Sequence, residues 1–534
     1  MCGGGATMFQ SNKISFQSRG SNISSLPVNK NLDISLIKIH FYKTIPIRRC
    51  GYSMHRPFIN DPQPPFFHKG LWHLYYLWNN DFPTGNGTDW RHAVSEDLED
   101  WRDVGLAIRK YQTPYGDPWS GCVVVDHDNT AGFGPDAVIA LCTMPMQEGG
   151  IGQSTTRWVS HDGGYSFAFD RTVMIHPKTV APGSAFRDPR LVWMKRARCW
   201  ILVLAEANKI GFYRSSDLAN WSYVSGFLCD TLGTLECPAL FPIRVSGQSD
   251  AAKTVKWVLL CGANGFATGF TTGTYYWIGS FDGTKFTPDD PTGQWLDSGS
   301  DFYATVVFGQ TQITDEPQER LFAIAWKNNW NYAIPATKAG YFGSYSAVRS
   351  IALSQLAEKL TLTNVPWWNG GPYSYESMFG IHKLRHKLTP EASQDLPKIT
   401  CGTYLFFASL SKGVEAWPEK IQIDLQSGAG TPVQIILSPR EGYVTLDRSQ
   451  SGFTPKADPE WLKPRNATLT FAGHVNILAI VNTSSIELIF NDGTLSMTSL
   501  VFPTTHRDQP RITVHGGVCI LDHYGTVPYH NVFK

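Results

Sequence analysis

Short apolar segments with the character of strands recur between residues 71 and 350. The clearest are LWHLYYLWN, AVIALCTM, CWILVLAEA, KWVLLCGA and RLFAIAWKN. Segments of this length, rich in aromatic and β-branched residues and bounded by turn residues, favour strands over amphipathic helices. The pattern therefore predicts an all-β fold.

A weak repeat lies between these strands. SEDLEDW begins at Ser95, SHDGGYSF at Ser160, SSDLANW at Ser215 and SFDGTKF at Ser280, so the copies are about 55 to 65 residues apart. Each copy follows a strand and ends in an aromatic residue, as an outer hairpin of a four-stranded unit would. Such units in radial array form a β-propeller, and the period predicts five blades over residues 51–350.

The pattern changes after residue 350. Residues 351–370 are expected to form a linker, and residues 371–534 carry short strands such as IQIDL, VQIILS and SIELIF without a visible repeat. Short alternating strands at this spacing indicate a β-sandwich, with an extension of the propeller as the alternative. We expect the sandwich to pack against the propeller and stabilise it without supplying catalytic acids.

Residues 1–50 form a separate compositional zone. They hold seven basic residues, seven serines and a single acid, Asp33. This bias is typical of an organellar targeting segment, with a disordered tail or a misassigned start upstream of Met54 as alternatives, and the apolar stretch of a secretory signal is missing. The sequence favours a cytoplasmic location, with organellar targeting as the alternative.

Charge and cysteine usage narrow the function. Lys plus Arg number 46 and Asp plus Glu 45, which argues against nucleic acid or a membrane surface as partner. The ten cysteines show no C-x-x-C spacing, so neither a zinc site nor another metal or cofactor is predicted, and their place in apolar strands favours a reducing compartment. The many aromatic residues suit a sugar-binding surface, although core packing is their commoner use.

Three acidic residues stand just before apolar strands in the predicted propeller. They are Asp61 in INDPQ, Asp188 in FRDPRLVW and Glu236 in TLECPALF. A proline follows each acid directly or one residue later, which is expected to keep the preceding backbone extended. Any one of them could be a turn or surface carboxylate, but a propeller gathers the first strands of its blades around one funnel. Paired carboxylates in an apolar, aromatic setting are what glycoside cleavage requires.

A larger set of segments carries a resemblance to a known family. INDPQ, WSGCV, FRDPRLVW, ECPALF, DFYA and WKNNWNY, in this order, resemble the signature blocks of glycoside hydrolase family 32, which includes invertases, inulinases, levanases and fructosyltransferases. The resemblance covers about residues 55 to 503. It implies a five-bladed propeller followed by a sandwich, and cleavage at a β-fructofuranosyl carbon with retention of configuration.

The resemblance also implies roles. Asp61 matches the nucleophile, Glu236 the general acid/base, and Asp188 the carboxylate that holds the fructosyl hydroxyls. Arg187 is expected to donate charge-assisted hydrogen bonds within the site, and Asn60 to bind substrate hydroxyls.

The remaining matches are substrate-side candidates. Trp119 and Ser120 would line the fructose pocket, and Asp301 and Tyr303 would support Glu236, whose pKa the surrounding negative charge should raise. Three residues are candidates for the leaving-group side, each equally well explained by blade packing: Trp90, Asn329 and Trp330.

Two departures from the family pattern affect substrate choice. The usual first block, Trp-Met-Asn-Asp-Pro-Asn-Gly, is here FINDPQP, and a common glutamine in the next strand is Leu77. Gln63 could replace one lost polar contact with substrate. The sequence therefore resembles the NDPQ subgroup, and it predicts a retaining β-fructofuranosidase acting on sucrose or short fructans with some fructosyl transfer. The alternatives are a dedicated fructosyltransferase, a levanase or inulinase, and a non-catalytic fructan-binding propeller.

Overall fold

A computed structural model of the chain describes the ranges 57–83, 87–147, 152–177, 185–248, 254–264, 272–368, 371–372, 385–390, 393–414, 416–426, 432–452, 459–503 and 508–528. Residues 1–50, for which the sequence predicts a targeting segment or a disordered tail, lie outside these ranges.

Five antiparallel sheets follow one another along the chain up to residue 372, each with four or more strands paired in chain order. The first blade contains β1 (Phe58–Pro62), β2 (Phe66–His68), β3 (Leu71–Asn79), β4 (Asp89–Ser95) and β5 (Arg102–Ile108). The second contains β6 (Gly121–Asp126), β7 (Ala137–Met144), β8 (Ser154–Ser160) and β9 (Ala168–Ile175). The third contains β10 (Arg187–Met194), β11 (Cys199–Glu206), β12 (Lys209–Ser215) and β13 (Ser222–Leu228).

The fourth blade contains β14 (Thr234–Arg244), β15 (Val255–Asn264), β16 (Gly273–Phe281), β17 (Phe286–Pro288) and β18 (Gln294–Trp295). The fifth contains β19 (Tyr303–Gly309), β20 (Leu321–Trp326), β21 (Arg349–Leu356), β22 (Lys359–Trp368) and β23 (Gly371–Pro372). The described ranges also hold a short helix, α1 (Ala333–Ala336), and a 3-10 turn (Thr337–Ala339) between β20 and β21.

The five sheets close into a ring. Each pair of neighbouring blades shares an apolar cluster, including the fifth and the first. Where the ring closes, the Trp326 indole N–H donates to the Ile59 carbonyl at 2.8 Å, and the Ile59 N–H donates to the Phe342 carbonyl at 2.8 Å. A closed ring of four-stranded sheets is a β-propeller, so the predicted five-bladed fold is confirmed.

The sequence repeat is the hairpin between the third and fourth strands of a blade. In the first three copies the serine hydroxyl donates to the aspartate two residues later, at 2.7 to 3.0 Å. That carboxylate also accepts backbone N–H groups of the turn, and in the fourth copy Asp282 does the same. An aspartate that caps its own turn in this way explains why the S-x-D pattern marks each hairpin.

The predicted linker at residues 351–370 is wrong. Most of this segment belongs to β21 and β22, which pair with each other along their length, and β21 also pairs with β20. Outer blade strands have one face toward solvent, so they alternate buried and half-buried residues and carry more polar side chains. The tight turn at Ala357, where φ is +51°, and the polar residues beside it made a hairpin resemble a linker.

The C-terminal part is a sandwich of two antiparallel six-stranded sheets. The first sheet has the order β24–β35–β26–β31–β32–β33 and the second β25–β34–β27–β28–β29–β30. The strands and one helix are β24 (His386–Leu388), β25 (Gln394–Asp395), β26 (Tyr404–Lys412), β27 (Lys420–Leu425), β28 (Val433–Ser438), β29 (Tyr443–Asp447), α2 (Pro459–Leu462), β30 (Arg465–Thr468), β31 (His474–Val481), β32 (Ser485–Phe490), β33 (Leu495–Leu500), β34 (Arg511–His515) and β35 (Cys519–Pro528). A single apolar cluster fills the space between the sheets.

The sandwich packs against the fourth and fifth blades, as expected. Its edge strand β33 is covered by the propeller, since the Asp301 N–H donates to the Thr498 carbonyl at 3.1 Å. Beneath it, the buried guanidinium of Arg349 lies between Asp297 of the propeller and Glu487 of the sandwich, 2.9 Å from each. Pairing the edge strand with the propeller removes an exposed row of backbone donors and acceptors.

Two features are absent from the part of the chain that the structure describes. No helix there is long and apolar enough to cross a membrane. No group of three or more His, Cys, Asp or Glu side chains there is arranged to hold a metal ion. The eight cysteines within these ranges are free thiols.

Candidate active site

The three predicted acids, together with Arg187 and Tyr303, lie where the innermost strands of four blades lose their regular pairing. Each of these strands has a register shift near its start. The shift lies between Ile59 and Pro62 in β1, between Arg187 and Arg190 in β10, between Glu236 and Ala239 in β14, and between Tyr303 and Val306 in β19. A β-bulge bends a strand and re-aims a side chain. Four bulges at matching places therefore turn side chains of different blades toward one funnel.

The prolines beside the acids mark these bulges. Pro62, Pro189 and Pro238 all fall within the shifted segments. The expectation of an extended residue before each proline is wrong for Asp188 and Cys237, whose φ angles are +61° and +47°. Proline has no N–H to donate to the ladder, so it is tolerated where the ladder is interrupted.

The Asp61 carboxylate accepts a hydrogen bond from the Ser120 hydroxyl at 2.5 Å. The thiol of Cys237 lies 3.6 Å from the same oxygen. Burial, followed by the negative charges of Asp188 and Glu236, raises the pKa of Asp61 to about 7, although the Ser120 hydroxyl opposes the shift. Ser120 is thus placed to favour the ionised carboxylate.

Asp188 is buried beside Asp61 and is held from two blades. Its carboxylate accepts the Cys237 backbone N–H at 2.8 Å, and its own N–H donates to the Thr143 hydroxyl at 2.8 Å. Cys237 therefore touches two of the three acids, one through its backbone and the other through its thiol. Burial raises the pKa of this thiol well above its usual value, so the sulfur stays protonated.

Both carboxylate oxygens of Glu236 have donors. The Arg187 guanidinium donates to Oε1 at 2.6 Å and the Tyr303 hydroxyl donates to Oε2. Opposite Glu236 on the neighbouring strand stands Gly262, where a Cβ would lie 3.0 Å from the Tyr303 ring, so glycine makes room for that ring.

The pKa of Glu236 is raised, chiefly by burial. Arg187 opposes the shift, Asp188 adds to it, and the Tyr303 hydroxyl opposes it. Tyr303 thus supports Glu236 as a hydrogen-bond donor, and the negative charge that adds to the raised pKa comes from Asp188.

Gln63 and Trp90 lie behind the funnel wall rather than in it. The side chain of Gln63 is fully buried, accepts the Gly121 N–H at 2.6 Å and donates to the Asp61 carbonyl at 3.3 Å. Trp90 is also fully buried, and its indole donates to the Trp119 carbonyl at 2.9 Å. Both residues brace the first blade against the second, which leaves no surface for substrate.

Asp301 and Asn329 lie at the junction with the sandwich. The Asp301 carboxylate accepts hydrogen bonds from Arg448 at 2.7 Å and from the Tyr332 hydroxyl at 2.6 Å, so its partners do not include Glu236. Asn329 is buried and donates to the Ser300 carbonyl at 2.9 Å. Sequence motifs could not separate these residues from the site because they adjoin it along the chain.

Asn60, Trp119 and Trp330 remain accessible. Asn60 and Trp119 are half-buried, whereas 38% of Trp330 is exposed. The Trp119 indole is held by Asp117 at 3.1 Å, and Trp330 leans on Trp326 with a ring-centre separation of 4.8 Å. Together with the half-buried Arg187, these three side chains can form a substrate surface.

Arg190 belongs to the site although the sequence did not predict it. It is buried, donates to the Gly121 carbonyl in the second blade, and its positive charge lowers the pKa of Asp61. Its one signal was the second arginine of FRDPR, which resembles an ordinary strand residue in a single sequence. Thr143, which orients Asp188, has no sequence signal at all.

A propeller that presents two carboxylic acids with raised pKa values, a third carboxylate and accessible tryptophans at one funnel is built as a glycoside hydrolase. The family model for the N-terminal domain of glycosyl hydrolases family 32 matches residues 52–365, and that for the family's C-terminal domain matches residues 383–523. The chain belongs to glycoside hydrolase family 32.

Known proteins resemble the chain over nearly its whole length. A levanbiose-producing levanase of Bacillus subtilis (strain 168) is 34% identical over 505 residues, covering 92% of this chain and 91% of the levanase. An extracellular exo-inulinase of Meyerozyma guilliermondii is 30% identical over 502 residues, covering 88% and 92% of the two chains. The structure of a fructofuranosidase from Schwanniomyces occidentalis complexed with fructose superposes with a TM-score of 0.71 at 25% identity, covering 92% of this chain and 97% of that one.

Proposed function

We propose that the protein is a retaining β-fructofuranosidase that hydrolyses sucrose, short fructans or both, and that also transfers fructosyl groups to sugar acceptors. The observation that carries this proposal is the unlike setting of two neighbouring acids. Asp61 has a hydroxyl donor from Ser120, whereas Glu236 is held by Arg187 and Tyr303 at the other side of Cys237.

In the proposed reaction, the Asp61 carboxylate attacks the anomeric carbon of the fructosyl unit. Glu236 gives its proton to the departing glycosidic oxygen, which leaves a covalent fructosyl-enzyme ester. Glu236, now ionised, takes a proton from water or from a sugar hydroxyl, and that oxygen displaces Asp61. Water gives hydrolysis and a sugar hydroxyl gives transfer.

Asp188 is proposed to hold the fructosyl hydroxyls, since its carboxylate is fixed by the Cys237 N–H and lies next to both other acids. Asn60 and Trp119 would contact the fructosyl unit from the funnel wall. Trp330, the most exposed of the three, would meet the leaving group. None of these tasks needs a cofactor.

Because burial raises the pKa values of both Asp61 and Glu236, the site binds a proton more readily than two exposed carboxylates would. The productive arrangement has this proton on Glu236 and the charge on Asp61. Ser120 and Arg190 favour that arrangement because both lower the pKa of Asp61.

A levanase activity is the second candidate. The 34% identity to a levanbiose-producing levanase over 92% of the chain supports levan as a substrate. Incubation with sucrose, inulin and levan at matched fructosyl concentration, with products quantified by chromatography, separates the two candidates. Fructose and glucose released fastest from sucrose support the first, and a disaccharide released fastest from levan supports the second.

The roles of the two acids have a direct test. Asp61→Asn is expected to abolish turnover of every fructoside while sugar binding persists, because the amide keeps the shape and loses the nucleophile. Glu236→Gln should lose kcat/KM on sucrose but retain much of it on fructosyl fluoride, because kcat/KM reports the first step and this leaving group needs no proton. Equal losses on both substrates in Glu236→Gln, or residual turnover in Asp61→Asn, would show that the roles are assigned wrongly.

A further inference from the structure

The segment after β20, residues 327–332, is held by the sandwich at its start. Lys327 is buried, and its ammonium donates to the Ser485 hydroxyl at 2.9 Å and to the Glu487 carboxylate at 3.3 Å. Ser485 and Glu487 both belong to β32 of the sandwich. We name residues 327–332 the bridging loop.

The bridging loop is held by the sandwich at its end as well. The Tyr332 hydroxyl accepts a hydrogen bond from the Arg448 guanidinium at 2.7 Å and donates to Asp301 at 2.6 Å. Arg448 also donates to Asp301 at 2.7 Å, and Trp461 packs edge-on against the Tyr332 ring at 5.0 Å. All four side chains are buried.

Between these two anchors the loop presents Trp330, which is 38% exposed. Its ring leans on Trp326, whose indole N–H donates to the Ile59 carbonyl, two residues before Asp61 in β1. Trp330 is thus one ring away from the strand of the proposed nucleophile, and both ends of its loop are bonded to the other domain.

These buried charges point to positioning rather than to stability alone. Desolvation of two ions can cost as much as their attraction returns, so a buried ion pair is weak evidence for a gain in stability. Its directional bonds do fix geometry. The bridging loop has such bonds at both ends, and its exposed middle residue is the aromatic side chain that a sugar ring could stack on.

We infer that the sandwich domain, through Lys327, Tyr332 and Arg448, positions Trp330 as the platform for the sugar that leaves or accepts the fructosyl group. This inference rests on the proposed fructosidase function. The positioning residues act through Trp330, so their loss should affect substrates that carry a sugar at that position and spare those that do not.

The test compares sucrose, whose leaving group is a sugar, with fructosyl fluoride, whose leaving group is too small to reach Trp330. The variants are Trp330→Ala in the loop, Tyr332→Phe at its anchor and Arg448→Lys in the sandwich. Tyr404→Phe is the matched control, because it removes a buried tyrosine bond to Asp508 within the sandwich, away from the loop.

The measured quantity is the ratio of kcat/KM on sucrose to kcat/KM on fructosyl fluoride, with the transfer-to-hydrolysis ratio as a second readout. Loss of an aromatic contact should lower the first ratio about tenfold in Trp330→Ala, and looser anchoring should lower it about threefold in the two anchor variants. Both readouts should fall together, and the first should fall mainly because KM for sucrose rises. In Tyr404→Phe both readouts should equal those of the wild type.

An equal loss on both substrates in the anchor variants would mean that the sandwich only stabilises the propeller, and would overturn the inference. An unchanged ratio in all three variants would overturn it as well. A wild-type protein that cleaves neither substrate would instead refute the proposed function, and this result does not depend on any of the variants.

Discussion

Replacing Ser120 by alanine should move the pH dependence of the enzyme. The Ser120 hydroxyl donates to Asp61 at 2.5 Å and so stabilises the charged carboxylate. A hydrogen bond to a charged group contributes about 1.5 to 3 kcal/mol. At about 1.4 kcal/mol for each pKa unit, its loss should raise the pKa of Asp61 by about 1 to 2 units above its present value. That present value is about 7.

The assay is the pH profile of kcat/KM on fructosyl fluoride. This substrate needs no general acid, so the acidic limb of the profile reports the ionisation of the nucleophile without the opposing limb of Glu236. In Ser120→Ala the acidic limb should shift to higher pH by about 1 to 2 units, and activity should recover toward the wild-type value in alkaline buffer.

Ser120→Cys is the matched control, because the thiol keeps a similar volume and is only a weak donor. Its acidic limb should lie between those of the wild type and Ser120→Ala. A limb that stays in place in Ser120→Ala, with a uniform loss at every pH, would refute the electrostatic role and leave Ser120 as a lining residue only.

Three further changes should alter stability. Burial lowers the pKa of His73 to about 4 and that of His92 to about 3. The unfolded state therefore takes up protons first as the pH falls below about 6.5, and the free energy of unfolding should drop by about 2 to 3 kcal/mol per histidine by pH 4.5. In urea denaturation, the free energy of unfolding of His92→Phe should change less with pH than that of the wild type, and an equal change would contradict the assignment. Gln63→Leu leaves the buried Gly121 N–H of the second blade without its acceptor and should lower the free energy of unfolding by about 1 to 3 kcal/mol. A change within error would show that this hydrogen bond between the blades is dispensable. Asp297→Asn strips Arg349 of a buried carboxylate and should cost about 3 to 5 kcal/mol, seen as a lower Tm with kcat on fructosyl fluoride retained; an unchanged Tm would mean that the junction tolerates the loss.

The propeller was predictable because its signal is local and repeated. The S-x-D hairpin recurs in four blades, and each copy reports a turn that its own aspartate caps. The boundary of the fifth blade was missed for the opposite reason. Its outer strands are half-exposed and polar, and only pairing with β20, which residue patterns do not reveal, identifies them as part of the blade.

Residues beside the site were harder to predict than the acids themselves. Asp301 stands two residues before Tyr303, yet its partner Arg448 is far along the chain in the sandwich. Trp90 and Gln63 carry sugar-binding chemistry in their side chains but are buried between blades. Burial is set by contacts among distant strands, so residue type and local motif do not determine it.

The bulges explain why the acids come with prolines and why one cysteine lies between them. In a regular strand the backbone N–H groups are used by the neighbouring strand. At the bulges of β10 and β14 that pairing is interrupted, and the released N–H groups bond the site instead. The Asp188 N–H donates to Thr143, and the Cys237 N–H donates to the Asp188 carboxylate. The next residue in each case is a proline, which has no N–H left to satisfy. A defect in the ladder thus both aims a carboxylate and supplies the donor that holds it. On this reasoning Pro238→Ala adds an unpaired N–H beside Cys237 and should lower the free energy of unfolding, measured by urea denaturation, by about 1 to 3 kcal/mol; an unchanged value would show that the proline is not needed at the bulge.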